Sequence, residues 1–297
     1  MPNDTLHILV LLRETSDPRP PARVITRGAA ISERGLRRLP NPLDLAALEE
    51  ALRLKEQIGA RVTVLTIGPN RLDDMVRLAY AMGADRGIRL WDHDLDGGDV
   101  VADARVLGRC IDILGPSLVF TGNRLLDRGD DPVPALAAAL RSMPSISAAM
   151  ALTLTKDGVE VLRISDRGGR QVVTASSPCT ILFGAGGTLR YPSVDALAVA
   201  LEATVEVWDT ACLGLPFREI GAAGSRLASS EFNVPRPDPV RVATPDAGLP
   251  AFERILSLLS GGIKAREGRQ HQLSADETAD GIWRIFCEEG VAPGRMP

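Results

Sequence analysis

Aromatic side chains are scarce here: Phe, Trp and Tyr make up only 4% of the sequence. The core must therefore be built from Leu, Val, Ile and Ala. Cysteine is equally thin, and Cys110, Cys179, Cys212 and Cys287 form no CxxC pair. That argues against a disulfide framework or a zinc knuckle and reads as free thiols in a reducing compartment. The three histidines, His7, His93 and His271, are too scattered for metal-ligand spacing or a Ser-His-Asp or Cys-His grouping. We expect no metal and no catalytic side-chain set. Long apolar runs are missing too. The N-terminal run from Ile8 covers about six residues, too few for a signal peptide or a membrane span. A cytoplasmic protein without membrane insertion is the expectation. The net charge is −4, with no sizeable basic cluster, which argues against nucleic acid as the main partner.

What is present is periodic. "LHILVLL" (6–12) reads as a strand covered on both faces. An Arg- and Pro-rich stretch, 18–40, reads as a long loop or hairpin. Asn41-Pro42 opens a helix with Leu45, Leu48, Leu52 and Ile58 near helical spacing, and Gly59 stops it. A strand at 60–68, a helix at 69–83, a strand at 87–91, a helix at 99–115 and a strand at 116–122 follow. Short connections between them predict βαβ units and a parallel sheet, with ligands at the carboxyl ends of the strands. Those ends are Leu11–Arg13, Ile67–Pro69, Trp91–Asp94 and Thr121–Arg124. In "AMGADRGI" (81–88), Gly83 closes a helix and Ala84-Asp85-Arg86 forms the turn into the next strand.

Beyond Pro144 the period changes. Turn signals at Asp157-Gly158 and Gly168-Gly169 predict an antiparallel meander added to the parallel sheet. A helix at 193–203 leads to "TVEVWD". From about 210 the chain reads as Pro/Gly-rich loop, including "FNVPRPDPVRVATPDAGLP", with helices at 249–260 and 274–289. Ser274 and Glu277 suggest a capping box.

Chemistry-bearing motifs are few. "FGAGGTL" (183–189) lacks dinucleotide or P-loop spacing and reads as a flexible loop. "TGNRLLDRGDDPVPALAAAL" (121–140) is more suggestive: a strand, a polar loop, then a helix opening near Asp131 or Pro132. Such a loop is either a phosphate cradle or a solvated capping loop. Asp127, Asp130 and Asp131 oppose a phosphate, Pro132 and Pro134 lack N–H donors, and Arg124 and Arg128 partly offset the acids.

Several segments together resemble the β subunit of electron transfer flavoprotein. They are "NPLDLAALEEALRLKE" (41–56), "TIGPNRLDDMVRLAYAMGADRGIRLWD" (66–92), "PSLVFTGNRLLD" (116–127) and "SPCTILFGAGGTLRYPSVDAL" (177–197). The resemblance covers roughly residues 6–208. It implies a mostly parallel, doubly wound α/β sheet of the adenine-nucleotide alpha-hydrolase-like type. It also implies a heterodimer with an α subunit that holds most of the FAD contacts. Electrons would pass from flavin dehydrogenases to a quinone oxidoreductase or another acceptor, so the chain would be a carrier subunit rather than a catalyst with its own substrate.

The resemblance further implies AMP, or a second FAD in bifurcating members, at Leu11, Asn41, Pro42, Leu43, Asp44 and Ile67, with a phosphate loop from Gly122 to Val133. Within that loop it implicates Gly122, Asn123, Arg124, Asp127, Arg128, Gly129, Asp130, Asp131 and Val133. Gly122 would permit close backbone approach, and Asn41 would hydrogen-bond the nucleotide. The chain departs from the family's pattern in this loop. Pro132 stands at a Gln position, which removes two donors worth ~1 kcal/mol each and weighs against AMP. A partner-recognition segment is implied at Arg190, Tyr191, Pro192, Ser193 and Val194, with Val194 at the family's leucine anchor. The smaller side chain loses ~1 kcal/mol of burial and predicts weaker or altered dehydrogenase choice.

The expected domains are 1–208, nucleotide-binding, and 209–297, an arm docking on the α subunit. Its apolar stripes are Phe252, Ile255, Leu256 and Leu259, then Ile282, Trp283, Ile285 and Phe286. Two rival readings stand beside the carrier subunit. One is a stand-alone nucleotide-binding stress module; the other is a structural subunit of a flavoprotein complex with a degenerate nucleotide site.

Overall fold

In the computed structural model the described residues are 5–19, 25–27, 30–32, 37–227, 245–259 and 274–288. Most of the Pro-rich stretch starting at Phe232 and part of 18–40 lie outside them.

Strand β1 (His7–Leu11) is buried along its whole length, as the unbroken apolar run requires. The other main strands are β2 (Arg61–Ile67), β3 (Arg86–Leu90), β4 (Leu118–Gly122), β5 (Ser145–Leu154), β6 (Gly158–Ile164), β7 (Arg170–Ser176), β8 (Cys179–Phe183) and β9 (Glu206–Trp208). They form one nine-stranded sheet in the order β7-β6-β5-β8-β4-β1-β2-β3-β9. From β5 through β9 in that order, every neighbouring pair is parallel. The β5-β6-β7 meander is antiparallel, as the turn signals predicted. A small hairpin pairs Glu14–Ser16 with Arg38–Pro40, and another pairs Ile25–Arg27 with Ala30–Ser32.

Helices α1 (Pro42–Ile58) and α2 (Asp73–Met82) cover one face of the sheet. Helices α3 (Val100–Leu114) and α4 (Val133–Leu140) cover the other. A fifth helix, α5 (Val194–Leu201), packs on α2. With so few aromatics, the core is aliphatic, apart from an edge-to-face pair of Phe120 and Phe183 at 5.3 Å.

The "AMGADRGI" block is explained by packing. Gly83 takes a left-handed φ of 118° and bonds the Ala79 and Tyr80 carbonyls, ending α2. The Asp85 carboxylate then accepts the Val62 amide at 2.8 Å and the Lys55 ammonium at 2.5 Å, tying the turn to β2 and α1. A Cβ on Gly87 would lie 2.2 Å from Val76 Cγ1, so only glycine lets α2 sit this close to β3.

Two compact units emerge, 1–232 and 233–297. The first reaches past 208: Leu213 and Ile220 are buried in its second hydrophobic cluster. Asp99 fastens this extension. One carboxylate oxygen caps α3 through the Val101 and Ala102 amides, and the other accepts the Arg226 and Leu227 amides. In the second unit, Ala251–Leu259 and Ala275–Glu288 are helical. The Ser274–Glu277 capping box forms, with Ser274 N donating to Glu277 Oε2 at 2.9 Å.

Candidate functional site

The strand order fixes where a ligand site belongs. From β1 the chain runs to β2 and β3 on one side, then crosses back to β4 and β8 on the other. The carboxyl ends of β1 and β4 are therefore a topological switch point, where a crevice opens. A cleft of about 420 Å³ lies there. Leu11, Ile67 and Trp91 line it from the strand ends, and Leu107 and Val133 from α3 and the head of α4. Arg13, Arg38, Arg71 and Arg128 share the lining with Glu14, Asp96, Asp103 and Asp131, so cationic and acidic groups offset each other.

Arg13 and Asp44 organise the crevice. Asp44 is fully buried at the start of α1, placed there by Asn41-Pro42. It accepts from the Arg13 backbone N–H at 2.9 Å, Arg13 Nε at 3.0 Å and Arg13 Nη2 at 2.6 Å. It also accepts from the Gly122 amide at 2.6 Å and the Thr121 hydroxyl at 3.1 Å. Buried charges need this degree of pairing, or desolvation dominates. Burial alone would lower the Arg13 pKa; Asp44 and then Asp131 outweigh it and raise it. One carboxylate thus locks the ends of β1 and β4 to α1.

The polar loop after β4 is held by its own acids. Arg124–Leu125 pairs with Gly129–Asp130 in a two-residue ladder. Asp127 accepts the Ser16 amide at 2.9 Å, and its own amide donates to Thr15. Asp131 accepts the Val133 amide at 3.0 Å at the head of α4 and pairs with Arg13 Nη1. Asn41 directs its side-chain amide to the Arg124 carbonyl at 3.0 Å. A Cβ on Gly122 would meet Leu43 Cβ at 2.6 Å, so the close approach this glycine permits in the fold is that of α1.

Of the residues implicated by resemblance, Leu11, Ile67, Arg128, Asp131 and Val133 line the cleft. Asn41, Leu43, Asp44 and Gly122 form the knot behind it. Asn123 and Arg124 continue the strand end, with the Asn123 amide bonded to the Phe183 carbonyl and Arg124 exposed. Pro42, Asp127, Gly129 and Asp130 are exposed on the helix start and loop. The resemblance did not implicate Arg13, Arg71, Trp91 or Asp103, which also line the cleft. Arg13 and Trp91 carried a usable signal, since both fall within the strand ends where ligands gather. Asp103 lines the cleft from an exposed position on α3, where desolvation on the cleft side, then Asp131 and Asp99, push its carboxyl up to about 6.

A second feature lies on α1 and α5. Arg190 grips Glu49 through Nε and Nη2, each at 2.9 Å, and reaches Glu56 at 2.5 Å through Nη1. Beyond this clamp Tyr191 is 96% and Val194 81% exposed. Val199 and Leu201 extend the exposed apolar surface along α5, whose first turn Ser193 caps. Among the described residues, no group of three or more His, Cys, Asp or Glu gathers as a metal site. No helix among them is long and apolar enough to cross a membrane.

Comparison with known proteins agrees with this architecture. The model of the electron transfer flavoprotein domain matches residues 29–208. The FixA protein of Azorhizobium caulinodans is 33% identical over 74% of this chain and 80% of its own length. The FixA protein of Azotobacter vinelandii is 31% identical, over 78% of this chain and 85% of its own. The electron transfer flavoprotein β subunit of Thermoanaerobacterium thermosaccharolyticum is 27% identical over 87% of this chain and 94% of its own. The chain thus belongs to the electron transfer flavoprotein family, on its β-subunit side.

Proposed function

We propose that this chain works in the cytoplasm as half of a heterodimer, with an α subunit that holds FAD near their interface. Electrons come from a flavin dehydrogenase and leave to a quinone oxidoreductase or another acceptor. When bound, the flavin supplies the redox chemistry; the residues of this chain supply shape, docking surface and exclusion of water.

The observation that carries this reading is the exposed apolar run behind the Arg190 clamp. Soluble proteins seldom leave such side chains in water unless a partner covers them. Tyr191 and Val194 sit next to a guanidinium bonded to two glutamates, so the segment is ordered before any partner arrives. Preorganisation of that kind removes an entropic cost from docking. Arg190, Tyr191, Pro192, Ser193 and Val194 then form the contact with the dehydrogenase. In the second unit, Phe252, Ile255, Leu256 and Leu259 fall at i, i+3, i+4 and i+7, and this stripe docks on the α subunit.

Co-expression with an α-like chain tests the assignment. The expected product is a yellow complex whose flavin is reduced by a dehydrogenase. A colourless chain that turns over a substrate alone would overturn it.

A further inference from the structure

A nucleotide in this family's β subunit would place its phosphate at the switch point, on the amides that open α4 and on nearby cations. The residues present do not fit that group. Pro132 and Pro134 have no amide hydrogen, and the Leu136 amide goes to the Pro132 carbonyl. The Val133 amide is taken by Asp131 Oδ1. The half-buried Arg13 guanidinium is taken as well. Arg13 commits Nε and Nη2 to Asp44, Nη2 also to the Gly122 carbonyl, and Nη1 to Asp131 Oδ2. One guanidinium therefore already faces two carboxylates, so a phosphate placed on Arg13 and the head of α4 would have to displace Asp131.

We propose that Asp131 is a built-in anion: its carboxylate stands where a ligand phosphate would sit, bridging the head of α4 to Arg13, so this β subunit folds and works without AMP. The inference rests on the carrier reading only in expecting a nucleotide at this place. Asp127 is no substitute, because its carboxylate is tied to the Ser16 amide on the small hairpin. Position 131 is thus the side chain that decides occupancy.

The test uses the full α–β complex. Nucleotides released on denaturation are separated and counted against flavin, and AMP is titrated calorimetrically into wild type, Asp131→Ser, Asp131→Asn and Asp127→Asn. Wild type is expected to release substoichiometric AMP. Asp131→Ser frees both the Val133 amide and Arg13 Nη1 and should bind AMP at least about ten-fold more tightly than wild type. Asp131→Asn, which keeps the bulk but not the charge, should gain less, and Asp127→Asn nothing. Stoichiometric AMP in the wild-type complex overturns the proposal whether or not any variant folds. Folded Asp131 variants with no gain in AMP affinity overturn it too. A colourless complex would count against the carrier reading, while the AMP titration would still report on Asp131.

Discussion

Arg190 and Glu49 form a two-pronged pair, Nε to Oε2 and Nη2 to Oε1, each at 2.9 Å, with the Arg190 amide adding a third bond to Oε2 at 3.1 Å. Glu49 is buried on α1, and Arg190 lies 141 positions later on the segment leading to α5. The pair staples the docking segment to the first helix of the fold.

Breaking that staple should show in acid stability. Burial would raise the Glu49 pKa, but the Arg190 bonds outweigh it and hold it below its ordinary value. A lowered folded-state pKa contributes stability above the unfolded value of 4.5, and that contribution is lost as pH falls through the folded value. Arg190→Leu leaves a buried, unpaired carboxylate and should cost about 1–3 kcal/mol at pH 7. The deficit relative to wild type should shrink as pH drops below 4.5. Thermal melts of both proteins from pH 7 to pH 3 check this; a constant gap would contradict it.

Val194 is 81% exposed, so Val194→Ala should leave the melting temperature and the α–β association unchanged. If the side chain is buried against a dehydrogenase, losing two methyl groups removes ~1.5 kcal/mol, or about ten-fold in affinity. Electron-transfer rates measured against dehydrogenase concentration should shift accordingly. Unchanged kinetics would remove Val194 from the contact.

Gly122→Ala places a methyl 2.6 Å from Leu43 Cβ and 2.9 Å from Asp44 Oδ1. Neither neighbour can retreat easily, because Asp44 is held by Arg13, Thr121 and the Gly122 amide. A loss of roughly 1–3 kcal/mol is expected from overpacking. Chemical denaturation would measure it, and a neutral result would mean α1 can shift.

Asp103 should oppose stability as pH rises. Its carboxyl is pushed up to about 6 from an ordinary 3.8, by desolvation on its cleft side first and by Asp131 and Asp99 next, although the residue as a whole is exposed. The folded state then holds more protons than the unfolded state between those values, so this group's contribution falls across that window and stays low above it. Because Asp103 is exposed, solvent screening keeps the effect small: Asp103→Asn should raise the melting temperature at pH 7 slightly and soften the decline between about pH 4 and 6. A variant less stable than wild type at pH 7 would contradict the assignment.

Much of the framework was legible because its signals are local. An unbroken apolar run marks β1, and Gly83 and Gly115 close helices in left-handed conformations. The Ser274–Glu277 box spans one turn and needs nothing else. The site was less legible. Asp44, Arg13 and Asp131 are separated by 31 and 118 positions, and no periodicity links them. Asp127 and Asp131 read as acids that repel a phosphate, whereas folding gives each a backbone amide to accept. Residues 209–227 read as loop, yet Leu213 and Ile220 are buried and Asp99 ties the segment down.

By itself, then, the sequence determined the alternation of strands and helices, the parallel sheet with its added meander, and the family, because spacing and turn residues act over a few positions. Tertiary structure alone decided which charges meet. Strand order brings the ends of β1 and β4 together with the head of α4, and only there does a carboxylate from the loop reach an arginine from the first strand end. Electrostatic pairing depends on distance in space, and chain position carries little of that information.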